Sequence, residues 1–326
     1  MSPIVLLASF LISQPLWAAT FEAPVKEGDR LVLKGFEAQV QIIAQPGVGL
    51  KVSGVEDSGV EGAYTISKKG NIIEVSMNEL NGKRNWLGAL PKASTYMRKI
   101  EITGAPVPVE VHLRGGSVTV QKWSKDLKVS LTQGRFSSVD GRGSFDVAVQ
   151  KGEVNIQNHA GKVQADVYSG SVVLKSIQGD VDASLFVGQL VAEKLKGFID
   201  ITTQQATGKI NQSGGTLQFE NVKGQLTVQA FQGRIEGQSA DGSVSVVMNM
   251  DSEVDIRAKA GKVTVQTPPG SGASVNLFTV DGDIYVPKEL RVVKLSSEKS
   301  VRGRLRGESP RGSILVRGQE ANIFVK

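Results

Sequence analysis

Carboxylates recur at a fixed interval in the middle of the chain, and they are the first side chains that could do chemistry. Every eighteenth position from Asp146 to Glu236 is acidic or an amide, in the order Asp146, Gln164, Asp182, Asp200, Gln218 and Glu236. If the fold repeats at this interval, these side chains form one outward column with neighbours about 5 Å apart. Such a column could bind a cation or a carbohydrate, or supply the carboxylate pair of a polysaccharide-cleaving enzyme. A solvent-exposed face without any ligand would have the same composition. Ligand binding, catalysis and a plain solvated face therefore stay open as alternatives.

Two aromatic residues share the same interval. Tyr168 and Phe186 occupy equivalent positions of successive repeats, which predicts that their rings stack on the outside. Exposed aromatic rings can act as a platform for a sugar or as an anchor for a partner protein. A plain ladder that stabilises neighbouring coils would have the same spacing.

Basic residues concentrate at the C-terminal end. Ten basic and four acidic residues lie between Lys288 and the C-terminus, so this segment accounts for the net charge of +6. Arg302, Arg304 and Arg306 alternate with other residues, and on a strand they would lie on one side. They could dock an anionic polysaccharide or a lipid. We do not expect nucleic-acid binding, because the segment lacks interleaved aromatic residues.

Four common enzyme motifs are absent from the sequence. There is no G-x-S-x-G, H-E-x-x-H, P-loop or dinucleotide-binding pattern. The lack of cysteine excludes a thiol nucleophile, a thiolate zinc site and disulfides. Only two histidines occur, and His159 is predicted to be a buried corner residue. We therefore expect no catalytic residues, no metal and no cofactor.

A glycine rhythm identifies the elements that would position these side chains. Of the fifteen positions reached from Gly116 in steps of nine, thirteen are glycine, the exceptions being Lys125 and Ala206. Apolar residues at the third and fifth positions of each unit indicate a short half-buried strand, and glycine suits the corner that follows. The next apolar residue alternates between the seventh and eighth positions, so two units of nine form one coil.

The fold class predicted is therefore all-β, a parallel β-solenoid with two flat faces. It would cover residues 114–326 and end in basic C-terminal coils. We expect a bulge or loop at 206–215 and a register slip of one residue near 251–261. Residues 20–113 lack the rhythm and are predicted to form a β-rich cap over the first edge, because open edges promote aggregation.

The N-terminus indicates export. Residues 4–12 are a short apolar run followed by small residues, which predicts a signal peptide over residues 1–19. No later apolar run is long enough to span a membrane. We also predict a long loop at 78–99 in which Trp86 and Leu87 are exposed.

Three segments resemble a known family. They are PVPVEVHLRGGSVTV at 106–120, GDVDA at 179–183 and GSILV at 312–316. They are similar to bacterial β-strand-repeat proteins of the putative-adhesin family, whose function is unknown, and the resemblance covers roughly residues 30–326. It implies a β-solenoid at or near the cell envelope and provides no catalytic residues.

Together these features favour an exported binding, adhesion or structural protein of the periplasm or cell surface. Its partners would be anionic polysaccharide, cell-wall material or other envelope proteins. The alternatives are an enzyme that processes polysaccharides and a scaffold that polymerises end to end. A deep groove lined by carboxylates would favour the enzyme, whereas flat polar faces would favour the binding protein.

Overall fold

The computed structural model describes residues 18–47, 49–55, 64–77, 98–249, 251–268, 270–305 and 310–326. Within these residues the chain is all-β, as its sequence predicts. It forms no helix there of the length and apolar character that a membrane span requires. Most of the predicted signal peptide, the pair Trp86 and Leu87, and Arg306 lie outside the described residues.

The strands fall into three groups along the chain. The N-terminal group is β1 (Ala18–Pro24), β2 (Arg30–Ala44), β3 (Gly49–Val55), β4 (Tyr64–Lys69), β5 (Ile72–Met77) and β6 (Arg98–Gly104). The central group is β7 (Val109–Gln121), β8 (Leu127–Val139), β9 (Phe145–Ala160), β10 (Val163–Gln178), β11 (Val181–Glu193), β12 (Lys196–Asn211), β13 (Gly214–Ser239), β14 (Ser243–Met248), β15 (Glu253–Ala258) and β16 (Lys262–Gln266). The C-terminal group is β17 (Gly272–Thr279), β18 (Ile284–Tyr285), β19 (Val293–Leu295), β20 (Glu298–Arg304), β21 (Pro310–Gly318) and β22 (Asn322–Val325).

The central strands stack in parallel, with one coil for every two units as predicted. Leu127, Phe145, Val163 and Val181 are successive cross-strand partners in β8 to β11. Burial alternates along each strand, so the apolar residues of every coil meet in one continuous core. We call the outer surface of the units that begin at residues 125, 143, 161, 179, 197, 215 and 233, together with the strands stacked on them, the first-unit face. The units that begin at 116, 134, 152, 170, 188, 206 and 224, with the strands stacked on them, form the second-unit face.

The glycine column is required for two reasons, and Gly170 illustrates both. Its φ of +146° lies in a region that L side chains rarely adopt. A Cβ added there would also lie 1.7 Å from the carbonyl oxygen of Gly152 in the preceding coil. Glycine therefore permits both the corner and the close approach of stacked coils.

A second column of corner residues explains why the apolar position alternates. Residues with φ between 50° and 59° recur once per coil, at the seventh position of the second units: Lys122, Asp140, Asn158, Ser176, Lys194, Gln212 and Ala230. Their left-handed backbone turns the chain so that the eighth residue enters the core. Trp123, Ile177 and Leu195 are accordingly buried at that position.

The bulge or loop predicted at 206–215 is wrong, because β12 pairs with β13 without interruption from Lys196↔Gly214 to Asn211↔Gln229. Gly208 occupies a core position, and a Cβ there would lie 2.7 Å from Cδ1 of Leu226. The neighbouring leucine therefore fills the space that Gly208 leaves. The predicted register slip is confirmed, since partners from Arg234↔Glu253 onward are 19 positions apart, whereas those up to Gln229↔Val247 are 18 apart.

Both ends of the stack contain a coil that is out of chain order. At the N-terminal end, β2 lies between β7 on one side and β5 and β6 on the other, all in parallel. Antiparallel strands lie beyond them, with β4 on β5, β3 on β6 and β1 on β3. The boundary predicted at residue 113 falls inside β7, and the division of the chain into domains stays a prediction.

At the C-terminal end, the last strands of the chain fill a gap between earlier ones. β21 pairs in parallel with both β15 and β17, and β22 pairs with both β16 and β18. β17 is then covered by β20, which runs antiparallel to it, and β19 pairs with the far side of β20. Among the described strands, β18 pairs with β22 alone.

Candidate functional site

The carboxylate column forms as its spacing predicts. Asp146, Gln164, Asp182 and Asp200 are successive cross-strand partners on the first-unit face. Nζ of Lys128 lies 3.4 Å from the Asp146 carboxylate and compensates the charge at that end. The column therefore has a neutralised end and an acidic middle.

Burial and like charge act together on the acidic middle of this column. Partial burial raises the pKa of the Asp182 carboxyl, and the charges of Asp200 and Asp166 raise it further. Burial likewise raises the pKa of Asp200, with a contribution from Glu220. In the described part of the chain, no group of three or more acidic or histidine side chains is arranged to hold a metal ion.

A groove runs along the rod beside this column, where flat faces were expected. It has a volume of about 780 Å³ and crosses the strands from β2 to β12. Its floor follows the sixth positions of the first units, where small side chains dominate: Ser130, Ala148, Ser184 and Thr202. Its wall follows the eighth positions: Thr132, Gln150, Tyr168, Phe186 and Gln204. We call this feature the axial groove.

The aromatic pair forms part of the wall. The ring centroids of Tyr168 and Phe186 are 4.7 Å apart, and the planes are inclined by 12°. The stacking predicted from their spacing is therefore present, and Tyr168 remains 56% exposed. The pair presents a flat apolar surface next to hydroxyl and amide groups.

Charge in the axial groove is sparse. His112 and Arg114 lie near one end, and Asp166 lies near the middle. A hydrogen bond of 2.7 Å joins His112 to Glu110, and it lowers the pKa of the Glu110 carboxyl. The groove thus has a mixed lining of apolar and uncharged polar residues, with Asp166 as its one carboxylate.

The remaining predicted residues lie elsewhere. Asp182 and Asp200 flank the axial groove on the fourth-position column and are absent from its lining. Arg302 and Arg304 are exposed on one side of β20, as their alternation predicts. They lie at the C-terminal end of the stack, so the structure does not bring them together with the aromatic pair.

His159 is buried at a corner, as predicted. Its Nε2 donates a hydrogen bond of 3.0 Å to the carbonyl oxygen of Gly143, and its ring packs 4.3 Å from that of Phe145. Burial lowers its pKa. These contacts are those of a residue that stabilises the core, and they require no catalytic role.

The groove itself was not predicted from the sequence. The signal that could have located it is the contrast in size between two adjacent outward columns. The sixth positions hold mainly Ser, Ala and Thr, whereas the eighth positions hold Gln, Tyr and Phe. A column of short side chains beside a column of long ones produces a depression that runs across the strands.

Comparison with known proteins gives a family for the chain. The Toastrack DUF4097 family model matches residues 29–313. No curated protein matches the chain.

Three of the similar solved structures are described as follows. A putative cell adhesion protein from Clostridium sporogenes is 11% identical, with 95% of this chain and 99% of that chain covered and a TM-score of 0.21. A putative adhesin from Bacteroides fragilis is 12% identical, with 95% and 97% covered and a TM-score of 0.28. A putative lipid binding protein from Parabacteroides distasonis is 11% identical, with 94% and 96% covered and a TM-score of 0.31. TM-scores this low do not extend any property of these proteins to this chain.

Proposed function

The chain belongs to the Toastrack DUF4097 family, and we propose that this member is an exported, non-enzymatic protein that binds an extended glycan along its axial groove. The observation that carries the proposal is the stacked pair Tyr168 and Phe186 in the wall of that groove. The apolar run at residues 4–12 supports export to the periplasm or the cell surface.

The chemistry of the lining favours a carbohydrate. A sugar ring has an apolar face that packs on an aromatic ring and a rim of hydroxyl groups that must be hydrogen-bonded. Thr132, Ser184 and Gln204 offer groups that donate and accept hydrogen bonds. The aromatic pair offers the apolar surface at little cost in side-chain entropy, because each ring is already held by the other.

The shape of the groove favours a polymer over a small molecule. The groove crosses the consecutive strands β7 to β12, which corresponds to a length of about 25 Å at the usual strand spacing. It is open to solvent along that length, so a linear chain can lie in it without threading. Each coil then makes a similar contact with the same ligand, and the affinity rises with the number of coils contacted.

Two observations support a binding role over the alternatives. Asp166 is the carboxylate in the lining of the axial groove, and glycoside hydrolysis generally requires two that flank the scissile bond. End-to-end polymerisation requires open strand edges, and antiparallel strands cover β5 and β6 at one end of the stack and β17 at the other.

The proposal is tested by calorimetric titration of the purified chain with soluble envelope polysaccharides, including glycan strands released from peptidoglycan. We expect Tyr168→Ala to weaken binding about tenfold or more, since loss of the ring removes apolar area whose burial by the sugar contributes about 25 cal/mol per Å². Tyr285→Ala is the matched control. Tyr285 is also exposed and stacks on a second ring, that of Phe324 at 4.5 Å, but it lies on the second-unit face. Absence of binding by every polysaccharide, or an equal loss in both variants, would contradict the proposal.

A further inference from the structure

A second groove continues along the same edge of the rod. It has a volume of about 480 Å³, and its lining includes Glu220, Gln238, Arg257, Lys259, Phe278 and Arg317. Thr202 at the end of the axial groove is the cross-strand partner of Glu220 at the start of this one. A linear ligand that leaves the axial groove therefore enters this second groove directly. We call it the basic groove.

The two grooves differ in charge. The basic groove has three cationic side chains, from Arg257, Lys259 and Arg317, against the single carboxylate of Glu220. The lining of the axial groove includes one arginine, Arg114, and one aspartate, Asp166, which lie several coils apart. A polymer that occupied both would meet a neutral aromatic segment first and a positively charged segment next.

The two arginines of the basic groove stand side by side. Arg257 of β15 and Arg317 of β21 are cross-strand partners, so their backbones are separated by about the usual strand spacing of 4.8 Å. Side chains of like charge in this arrangement repel each other and gain from an anion placed between them. Nη2 of Arg317 lies 4.0 Å from the Asp255 carboxylate, whereas Arg257 has no ion-pair partner among the described residues.

The neighbouring residue in the same column is aromatic. Phe278 of β17 is the cross-strand partner of Arg317 on its other side. The basic groove therefore combines planar guanidinium donors, which match the geometry of a carboxylate, with an apolar ring. This combination suits a sugar that carries a carboxylate.

We propose that the basic groove binds the carboxylates of an acidic polysaccharide whose chain continues into the axial groove. The proposal rests on the proposed function, and it specifies the substrate class as an extended glycan with uronate residues. The aromatic pair holds the chain through its apolar faces, and Arg257 and Arg317 select for its charge.

The experiment compares length-matched charged and neutral ligands on the full chain. Oligogalacturonate, alginate and hyaluronan oligosaccharides are titrated alongside their methyl-esterified forms, which have no carboxylate charge. We expect the acidic form of at least one to bind about tenfold more tightly than its ester, since one charge-assisted contact is worth about that factor. Arg257→Ala and Arg317→Ala should each remove most of that preference, because they weaken binding of the acid more than binding of the ester. Lys209→Ala removes a positive charge from the second-unit face and should change neither affinity.

The outcomes separate the two proposals. Equal affinity for acid and ester, with both weakened by Tyr168→Ala, would overturn the inference and leave the proposed function intact. Failure of every polysaccharide, neutral or acidic, would overturn both. Binding of phosphatidylglycerol vesicles through Arg257, without binding of any acidic oligosaccharide, would overturn the inference in favour of a membrane surface.

Discussion

At the scale of single residues, Gly170 shows how one position satisfies two physical requirements. Its backbone conformation excludes most side chains, and its α-carbon faces the carbonyl oxygen of the preceding coil. These requirements can be separated, because Gly47 has a similar φ of +151° and nothing within 4 Å of the position where a Cβ would lie.

We expect Gly47→Ala to lower the free energy of unfolding by about 1–3 kcal/mol, the usual cost of backbone strain. Gly170→Ala should cost about 1–3 kcal/mol more, because the added methyl group forces the coils apart. Urea unfolding followed by circular dichroism measures both. An equal loss of unfolding free energy in the two variants would show that the close approach between coils does not add to the cost of Gly170→Ala.

The acidic column predicts a dependence of stability on pH. The pKa of Asp182 is raised in the folded state, so the folded chain holds that proton to higher pH than the unfolded chain, whose value is about 3.9. Folding stability contributed by this group therefore falls as the pH rises through the interval between the two values. The cost is fully present at neutral pH and absent in acid.

Asp182→Asn should accordingly raise the melting temperature at pH 7, and the gain should shrink as the pH approaches about 4. The matched control is Asp146→Asn, because Asp146 contacts Lys128 at 3.4 Å and gains from its charge. That variant should show no gain at pH 7. A constant difference between wild type and Asp182→Asn across this pH range would contradict the account.

Individual residues also show what could be read from the sequence. The repeat spacing was enough to predict the stack of Tyr168 on Phe186, because equivalent positions of a solenoid are neighbours. The left-handed corner column was not predicted. Lys122, Asp140 and Ala230 share no chemistry, so only the backbone shows that they belong together.

At the scale of elements, the order of coils is the main result that the repeat could not predict. A rhythm of nine residues implies that successive units are spatial neighbours. The pairing of Leu31 with Val109 and that of Glu253 with Ser313 join segments far apart in the chain. Nothing local specifies such pairs. They form because the unpaired N–H and C=O groups of a strand edge need hydrogen-bond partners, and a segment distant in the chain can supply them.

The inserted position of β21 can be tested with two neighbouring residues. Ile314 is 1% exposed, whereas Leu315 faces outward. We expect Ile314→Ala to cost about 2–5 kcal/mol, as large-to-small changes in a core do, and Leu315→Ala to cost much less.

Amide hydrogen exchange then shows which strands Ile314→Ala destabilises. Because β21 pairs with β15 on one side and β17 on the other, Ile314→Ala should increase exchange in both strands. Increased exchange in one of them alone would contradict the inserted arrangement. Strands β7 to β12 should keep their protection, since coils of a solenoid interact mainly with their neighbours.

At the scale of the whole molecule, the grooves form one continuous edge along the rod. The sixth and eighth positions of the first units line it from β2 to β17, and its character changes from neutral and aromatic to basic. The excess of basic residues after Lys288 adds Arg302 at the same end of the first-unit face. The net charge of the chain is therefore polarised along the rod, which favours an acidic polymer that lies lengthwise.

The most direct test of the central claim is the affinity for one glycan as a function of its length. We expect the affinity of a neutral polysaccharide to rise with length until it spans the axial groove, about 25 Å, and then to level off. The affinity of the acidic oligosaccharide that binds best should rise further at lengths that also reach the basic groove. Tyr168→Ala should lower the affinity at every length that reaches the aromatic pair. A single sugar that binds as tightly as a long chain, or a series without any dependence on length, would contradict a binding site that runs along the rod.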